Sequence, residues 1–397
     1  MHVSTAFAAP TSGASQLRAT RPVQRSRLQR VAEISSESAK AHSKASSTAT
    51  PLWTAGCVGV AAGVRRTWRR RPRGRNSKTS RTAVATDLRA SLTKLDENLS
   101  TQVGAEVEFQ PKEELDKLEQ KTEEFIEAEL RKQLKVFGSW QSLPKEEFSL
   151  EDLQRKGVEA SKLLSPEDST EESVRKTLLA FVAGLGVLAL LTGGVFGFLR
   201  FFLASTLFVG IDQVLNGGLL ENLIIDSIAR TVDGEYSDRI ARHEAGHLMV
   251  AYLIGVMPKA YTLSTWEALN KYRSPNVQAG TVFLDASLQK EVSTGSLSGK
   301  SLDKFIFIAL GGVAVEYLSF GQAKGGKSDI AQVDNLLQAV GMDQRQGSAQ
   351  VRWSLLNAVE MLRPQMGTHE RVAAAMQRGA SVGECIALIE EGQKSSP

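Results

Sequence analysis

The chain has 397 residues, room for two or three domains, and a formal charge of +4. That small figure hides an asymmetry: residues 1–86 hold 16 Lys/Arg against only Glu33 and Glu37, while the remainder carries 32 basic and 42 acidic side chains. The high isoelectric point therefore belongs to the first segment, which argues against nucleic acid as a partner of the rest. Cys57 and Cys385 are the only cysteines, so a disulfide framework or a C-x-x-C zinc or redox site is excluded.

Residues 1–86 are rich in Ser, Thr, Ala and Arg and almost free of acids, from STAFAAPTSGAS to RRTWRRRPRGRNSK. This composition reads as an organelle transit peptide. Residues 87–175 are charged and helix-forming. In EELDKLEQKTEEFIEAELRKQLKVF, Leu115, Leu118, Phe125, Ile126, Leu130 and Leu134 recur at helical spacing among many opposite charges. The expectation is a solvated helix that pairs with a partner helix or acts as a spacer, with Pro144 and Pro166 punctuating two further short helices.

Residues 176–212 change character. Thr177–Leu199 is uncharged, and as a helix it would span roughly 34 Å, more than the ~30 Å of bilayer hydrocarbon. Arg200 interrupts it before a second apolar run reaches Ile211. Five glycines in the first run would weaken a soluble helix but are common in membrane helices. The segment is expected to form a transmembrane helix or a tight re-entrant hairpin.

From residue 213 to 397 the pattern is globular and mostly α. Helices are predicted near 218–231, 237–254, 300–320, 329–341, 350–362 and 368–392, with short strands at 260–264 and 280–284 forming a small hairpin or sheet. One helix carries His243-Glu244-Ala245-Gly246-His247, an H-E-x-x-H. Histidines four apart share a helix face, so both can bind one Zn²⁺ through neutral imidazole nitrogens. Glu244, next to the first ligand, is placed to act as general base toward water at such a centre. A catalytic site needs a third protein ligand. His369 is one candidate, but it lies in a polar Met-Gly-Thr-His stretch far down the chain; the acids Glu316, Asp329 and Asp334 are better candidates, and composition does not choose among them.

A second motif competes. Gly321–Ser328, GQAKGGKS, matches the phosphate-loop pattern G-x-x-x-x-G-K-[ST] letter for letter. A phosphate loop follows a buried strand and opens a helix in an α/β domain, whereas the preceding SLDKFIFIALGGVAVEYLSF reads as a helix. ATP binding here is the minor reading.

RHEAGHLMVAYLIG, the strand YTLS, the G-T-V-F segment, ALGGVAVEYLSFG and GGKSDIAQV, in that order, resemble the peptidase domain of FtsH-type membrane-bound zinc metalloproteases. The resemblance covers about residues 238–345. It implies a helical zinc metallopeptidase domain with His243, His247 and Asp329 as metal ligands and Glu244 as catalytic base. Ser328 stands where the family usually has Asn. The family's ATPase module has no room here, because only about thirty residues separate Ile211 from His243. The expected protein is thus a membrane-anchored zinc metalloendopeptidase without its own ATPase. It would hydrolyse polypeptides by zinc-activated water, alone, as a homo-oligomer or with an ATPase partner. A catalytically silent scaffold is the alternative. The leader and the resemblance point to a plastid membrane, thylakoid or inner envelope, with the mitochondrion as the second choice.

Overall fold

The computed structural model describes residues 77–108, 110–166, 170–216, 218–273, 280–284, 291 and 297–392. Apart from α1, which begins at Ser77 inside the stretch assigned to the leader, residues 1–86 lie outside the described part. The described chain is mostly helical, with one two-stranded antiparallel sheet and one long apolar helix. In chain order the elements are α1 (Ser77–Val107), α2 (Lys112–Phe125), a π turn (Ile126–Leu130), α3 (Leu150–Arg155) and α4 (Ala160–Leu164). Next come α5 (Thr170–Leu215), α6 (Leu219–Val232), α7 (Tyr236–Leu253), β1 (Met257–Thr262), α8 (Thr265–Tyr272) and β2 (Gly280–Leu284). The chain closes with α9 (Gly299–Phe320), α10 (Lys327–Ala339), α11 (Gln344–Leu362), α12 (Met366–Gln377) and α13 (Val382–Gly392).

The centre is the crossing of α7 and α9. Each helix puts a glycine at the contact: a Cβ on Gly246 would lie 2.7 Å from the Gly311 carbonyl oxygen, and one on Gly311 would lie 3.0 Å from that of Gly246. The backbones touch, and α11 and α12 pack around them. The apolar residues of both helices are almost wholly buried, Leu248, Val250, Ile306 and Leu310 among them. At ~25 cal/mol per Å² of apolar area, such positions supply the main stabilisation.

The charged region 87–175 does not behave as a detached solvated spacer. Leu92, Leu95 and Leu99 of α1, Ile126 and Leu130 of the π turn, and Leu153, Leu163 and Leu164 beyond it belong to the same core cluster as α7, α9, α11 and α13. Buried Glu390 of α13 accepts from the Lys135 and Val136 amides and from the Tyr252 hydroxyl. The extended strap after the π turn bonds through Gly138 N and Trp140 N to the carbonyls of Tyr252 and Leu253.

Long apolar α5 turns back on itself. Gly194 has φ 60 and ψ −160, values open in practice only to glycine. A Cβ on Gly197 would come within 2.6 Å of the Ala189 carbonyl oxygen, and Gly186 meets the rings of Phe198 and Phe201. Residues 170–193 and 195–215 are therefore the two arms of a helical hairpin. A single straight span is ruled out by the packing as well, since the chain before the hairpin and the chain after it share one core. The arms present Leu179, Phe181, Leu191, Phe196, Leu203 and Phe208 outward, each more than half exposed.

Three boundaries move for local reasons. β1 begins at Met257 rather than 260, because Pro258 sits beside a bulge where it needs no ladder hydrogen bond. The chain then leaves the strand early, since Ser264 caps α8 through the Glu267 amide. α11 starts six residues before position 350, where Asp343 and Gln346 form a capping box. The predicted helix 368–392 is two helices, broken by left-handed Gly379 with the Ala380 N to Ala375 O bond of a Schellman stop.

Candidate metal centre

His243 and His247 lie on the face of α7 that meets α9, four residues apart and both buried. His243 Nδ1 donates to Glu316 Oε1 at 2.7 Å, and His247 Nδ1 donates to the Ile308 carbonyl at 2.7 Å. These partners fix the tautomers, so both Nε2 lone pairs face away from α9 and toward Asp329. Asp329 Oδ2 is 2.9 Å from His243 Nε2 and 3.5 Å from His247 Nε2. All three ligand atoms lie within 4.8 Å of one another.

This arrangement fits a bound metal. Three lone-pair-bearing atoms converge on one point, which is repulsive unless a proton or a cation sits among them. Ligand bonds of ~2.0–2.1 Å in a tetrahedron place neighbouring ligands about 3.3 Å apart, between the two separations seen here. Without a cation, protons take its place. Burial opposes charge on His243, but the Asp329 and Glu316 carboxylates outweigh it and raise the imidazole well above its ordinary pKa. Burial likewise opposes charge on Asp329, yet the imidazoles of His247 and His243 hold its carboxyl below the carboxylate range.

Of the four acids and histidines left open as third ligand, only Asp329 joins the group. Glu316 stands behind His243 and orients it, while its other oxygen accepts from the Lys324 and Gly325 amides at 2.8 and 2.9 Å. Asp334 lies further along α10 and accepts from Gln338. His369 is fully buried and donates through Nε2 to the Arg242 carbonyl.

Glycines make the close approaches possible. A Cβ on Gly312 would sit 2.4 Å from the His243 ring, and one on Gly325 would sit 2.6 Å from Glu316 Oε1. Gly326, at φ +83, turns the loop into α10 and sets Asp329 in its first turn.

The phosphate-loop letters thus serve another purpose. A helix, α9, precedes the loop where a nucleotide site needs a strand. Its amides at Lys324 and Gly325 are taken up by Glu316, and Lys327 is ion-paired with Glu172 at the root of the hairpin.

Glu244 is buried on the neighbouring face of α7, and its Oε2 accepts from Thr281 Oγ1 at 2.8 Å. Thr281 belongs to β2, and spacing alone does not point to it; a Gly-Thr opening a strand after H-E-x-x-H is the available signal. Glu244 and His243 line a cleft of about 790 Å³ that runs to Glu172 and Leu179 of the hairpin. Comparisons with protein-family models, curated proteins and solved structures return no match.

Proposed function

We propose that the protein is a membrane-anchored zinc metalloendopeptidase of FtsH-like type that works without an ATPase module of its own. The observation that carries this reading is the convergence of His243 Nε2, His247 Nε2 and Asp329 Oδ2, with His243 and the neighbouring Glu244 both lining one cleft. His243, His247 and Asp329 would hold the Zn²⁺. When bound, the metal supplies Lewis-acid activation of water and of the scissile carbonyl.

The chain's own residues do the rest. Glu244 accepts the proton of the attacking water and returns it to the leaving amide nitrogen. Thr281 anchors Oε2, which leaves Oε1 for that proton. Glu316 and the Ile308 carbonyl keep both imidazoles in the ligating tautomer. The cleft volume lies within the ~300–1,000 Å³ range of ligand sites and would take a few residues of extended polypeptide. Folded proteins would not enter, so substrates are loose segments or chains opened by a partner ATPase. A plastid membrane remains the proposed location, on the composition of residues 1–86 and the family resemblance.

The test uses the full chain in detergent with one equivalent of zinc and an unstructured protein substrate. Wild type should bind one zinc and cleave. Glu244→Gln should keep the metal and lose cleavage, and Asp329→Ala should lose both. Cleavage surviving in Glu244→Gln refutes the mechanism. Zinc bound without cleavage in wild type favours the silent scaffold.

A further inference from the structure

The hairpin stands on a helix that lies across it. Val174 and Leu178 of the first arm pack with Ile225 and Ala229 of α6. Asp212 of the second arm accepts from the Leu220 and Glu221 amides at the start of the same helix. Counted outward from the turn at Gly194, positions 174–178 of one arm stand level with 210–214 of the other. α6 therefore touches both arms at one depth, where the apolar stretches end, and runs transverse to them.

The sides of α6 differ in chemistry. Its charged residues are all paired: Glu221 with Arg175 in a partly exposed ion pair, and Asp226, turned toward the protein, with Arg230 and the Thr265 amide. Asn222, Ile225 and Asp226 line the cleft. The outward positions 220, 224, 227 and 231 are Leu, Ile, Ser and Thr, with no charge among them. Leu220 is 38% and Ile224 45% exposed. Beside them α8, tied to α6 through Thr265, presents Trp266 at 61% exposure.

We propose that Leu220, Ile224 and Trp266 form a docking face for the lipid bilayer interface, so that α6 lies in the membrane plane and the body rests on the lipid. This rests on the reading of the hairpin as membrane-embedded. The occupant follows from continuity: the face joins the outermost turn of the hairpin, where exposed Val214 and Leu215 lead into α6. An in-plane helix with one uncharged apolar face is the form of an interfacial segment, and tryptophan favours the headgroup level. With α6 between lipid and cleft, the cleft opens beside the bilayer surface. The polypeptide it meets is then a segment emerging from the membrane, within reach of Glu244 without prior extraction.

The experiment uses the full chain with Cys57→Ser, since buried Cys385 does not label. Single cysteines replace Ile224, Trp266, Leu191 near the hairpin tip, and Arg345 on α11 as an aqueous reference. Each carries a nitroxide, in vesicles of phosphatidylglycerol and phosphatidylcholine. Power saturation then compares collision with oxygen, enriched in lipid, and with a water-soluble nickel chelate. The expected result is oxygen-dominated relaxation at 224, 266 and 191 and nickel-dominated relaxation at 345. If 224 and 266 behave like 345 while 191 stays oxygen-dominated, the hairpin inserts and the docking face is wrong. If 191 also is nickel-dominated, hairpin insertion fails and the docking face fails with it.

Discussion

Gly312→Ala is the sharpest perturbation of the proposed metal site, because it changes none of the proposed ligands. The added Cβ would lie 2.4 Å from Cε1 and Nε2 of His243, where ordinary contact begins at 3.4 Å. The ring must retreat by about 1 Å, and it has little room: a Cβ built on Gly326, on the loop, would already lie 3.3 Å from Cε1. Metal–ligand bonds tolerate about ±0.2 Å. A shift several times larger takes His243 out of a three-ligand site. Altering an outer-shell partner alone costs 10–100-fold in affinity, so displacing a ligand should cost at least ~100-fold, about 2.8 kcal/mol. Helix propensity favours Ala over Gly by about 1 kcal/mol, so α9 itself should form. The assay is competition for zinc against a chromophoric chelator, with far-ultraviolet circular dichroism to show that the fold is kept. A variant that folds and binds one zinc within threefold of wild type would refute the placement of His243 as a ligand.

Glu316→Gln keeps the shape but weakens the hold on His243 Nδ1, so zinc affinity should fall about 10–100-fold with the stoichiometry of one unchanged, read by the same competition. Thr281→Val should leave zinc binding intact and lower the turnover of an unstructured substrate by about tenfold, because only the orientation of Glu244 is lost. Lys327, with Lys176 beside it, holds the Glu172 carboxyl down to about 2. The stability from this pair is present above the ordinary glutamate range and lost as pH falls toward 2. Because the pair is partly exposed, Lys327→Met should change stability at pH 7 by less than ~1 kcal/mol in denaturant titration, and wild type should show no ATP binding by equilibrium dialysis. Burial pushes the Cys385 thiol up to about 12, so in the Cys57→Ser chain a thiol reagent at pH 8 should label nothing until denaturant is added.

The parts of the site legible in the sequence were those fixed by local geometry. His243, Glu244 and His247 fall within about one helical turn, so spacing alone sets their common region. Asp329 is 86 positions from His243, and only the crossing of α7 and α9 brings the α10 loop to it. Spacing therefore leaves it level with Glu316 and Asp334. Glu316 illustrates the difficulty: an acid on the right helix, it faces the other nitrogen of the same imidazole. The helices after α6 other than α8 are readable from apolar periodicity, with errors where a cap or a left-handed glycine decides the end, as at Asp343 and Gly379; α8, eight residues between two strands and started by the Ser264 cap, is too short to show a period. The region 87–175 reads as solvated because so many of its side chains are charged, yet a few leucines such as Leu95 and Leu153 carry it into the core.

The turn at Gly194 also governs how such a chain would enter a lipid bilayer. Because both arms return to one side, neither the 42 acids nor the 32 bases of residues 87–397 need be carried across hydrocarbon. Insertion reduces to pushing in a loop whose only charged side chain between Thr177 and Ile211 is Arg200. At roughly 2.5–3.5 kcal/mol for an arginine at mid-depth, that single penalty is small beside the gain from the 24 apolar side chains of the same stretch. On the proposed membrane reading, a preformed body would gain its anchor after folding, without a translocation channel for either flank.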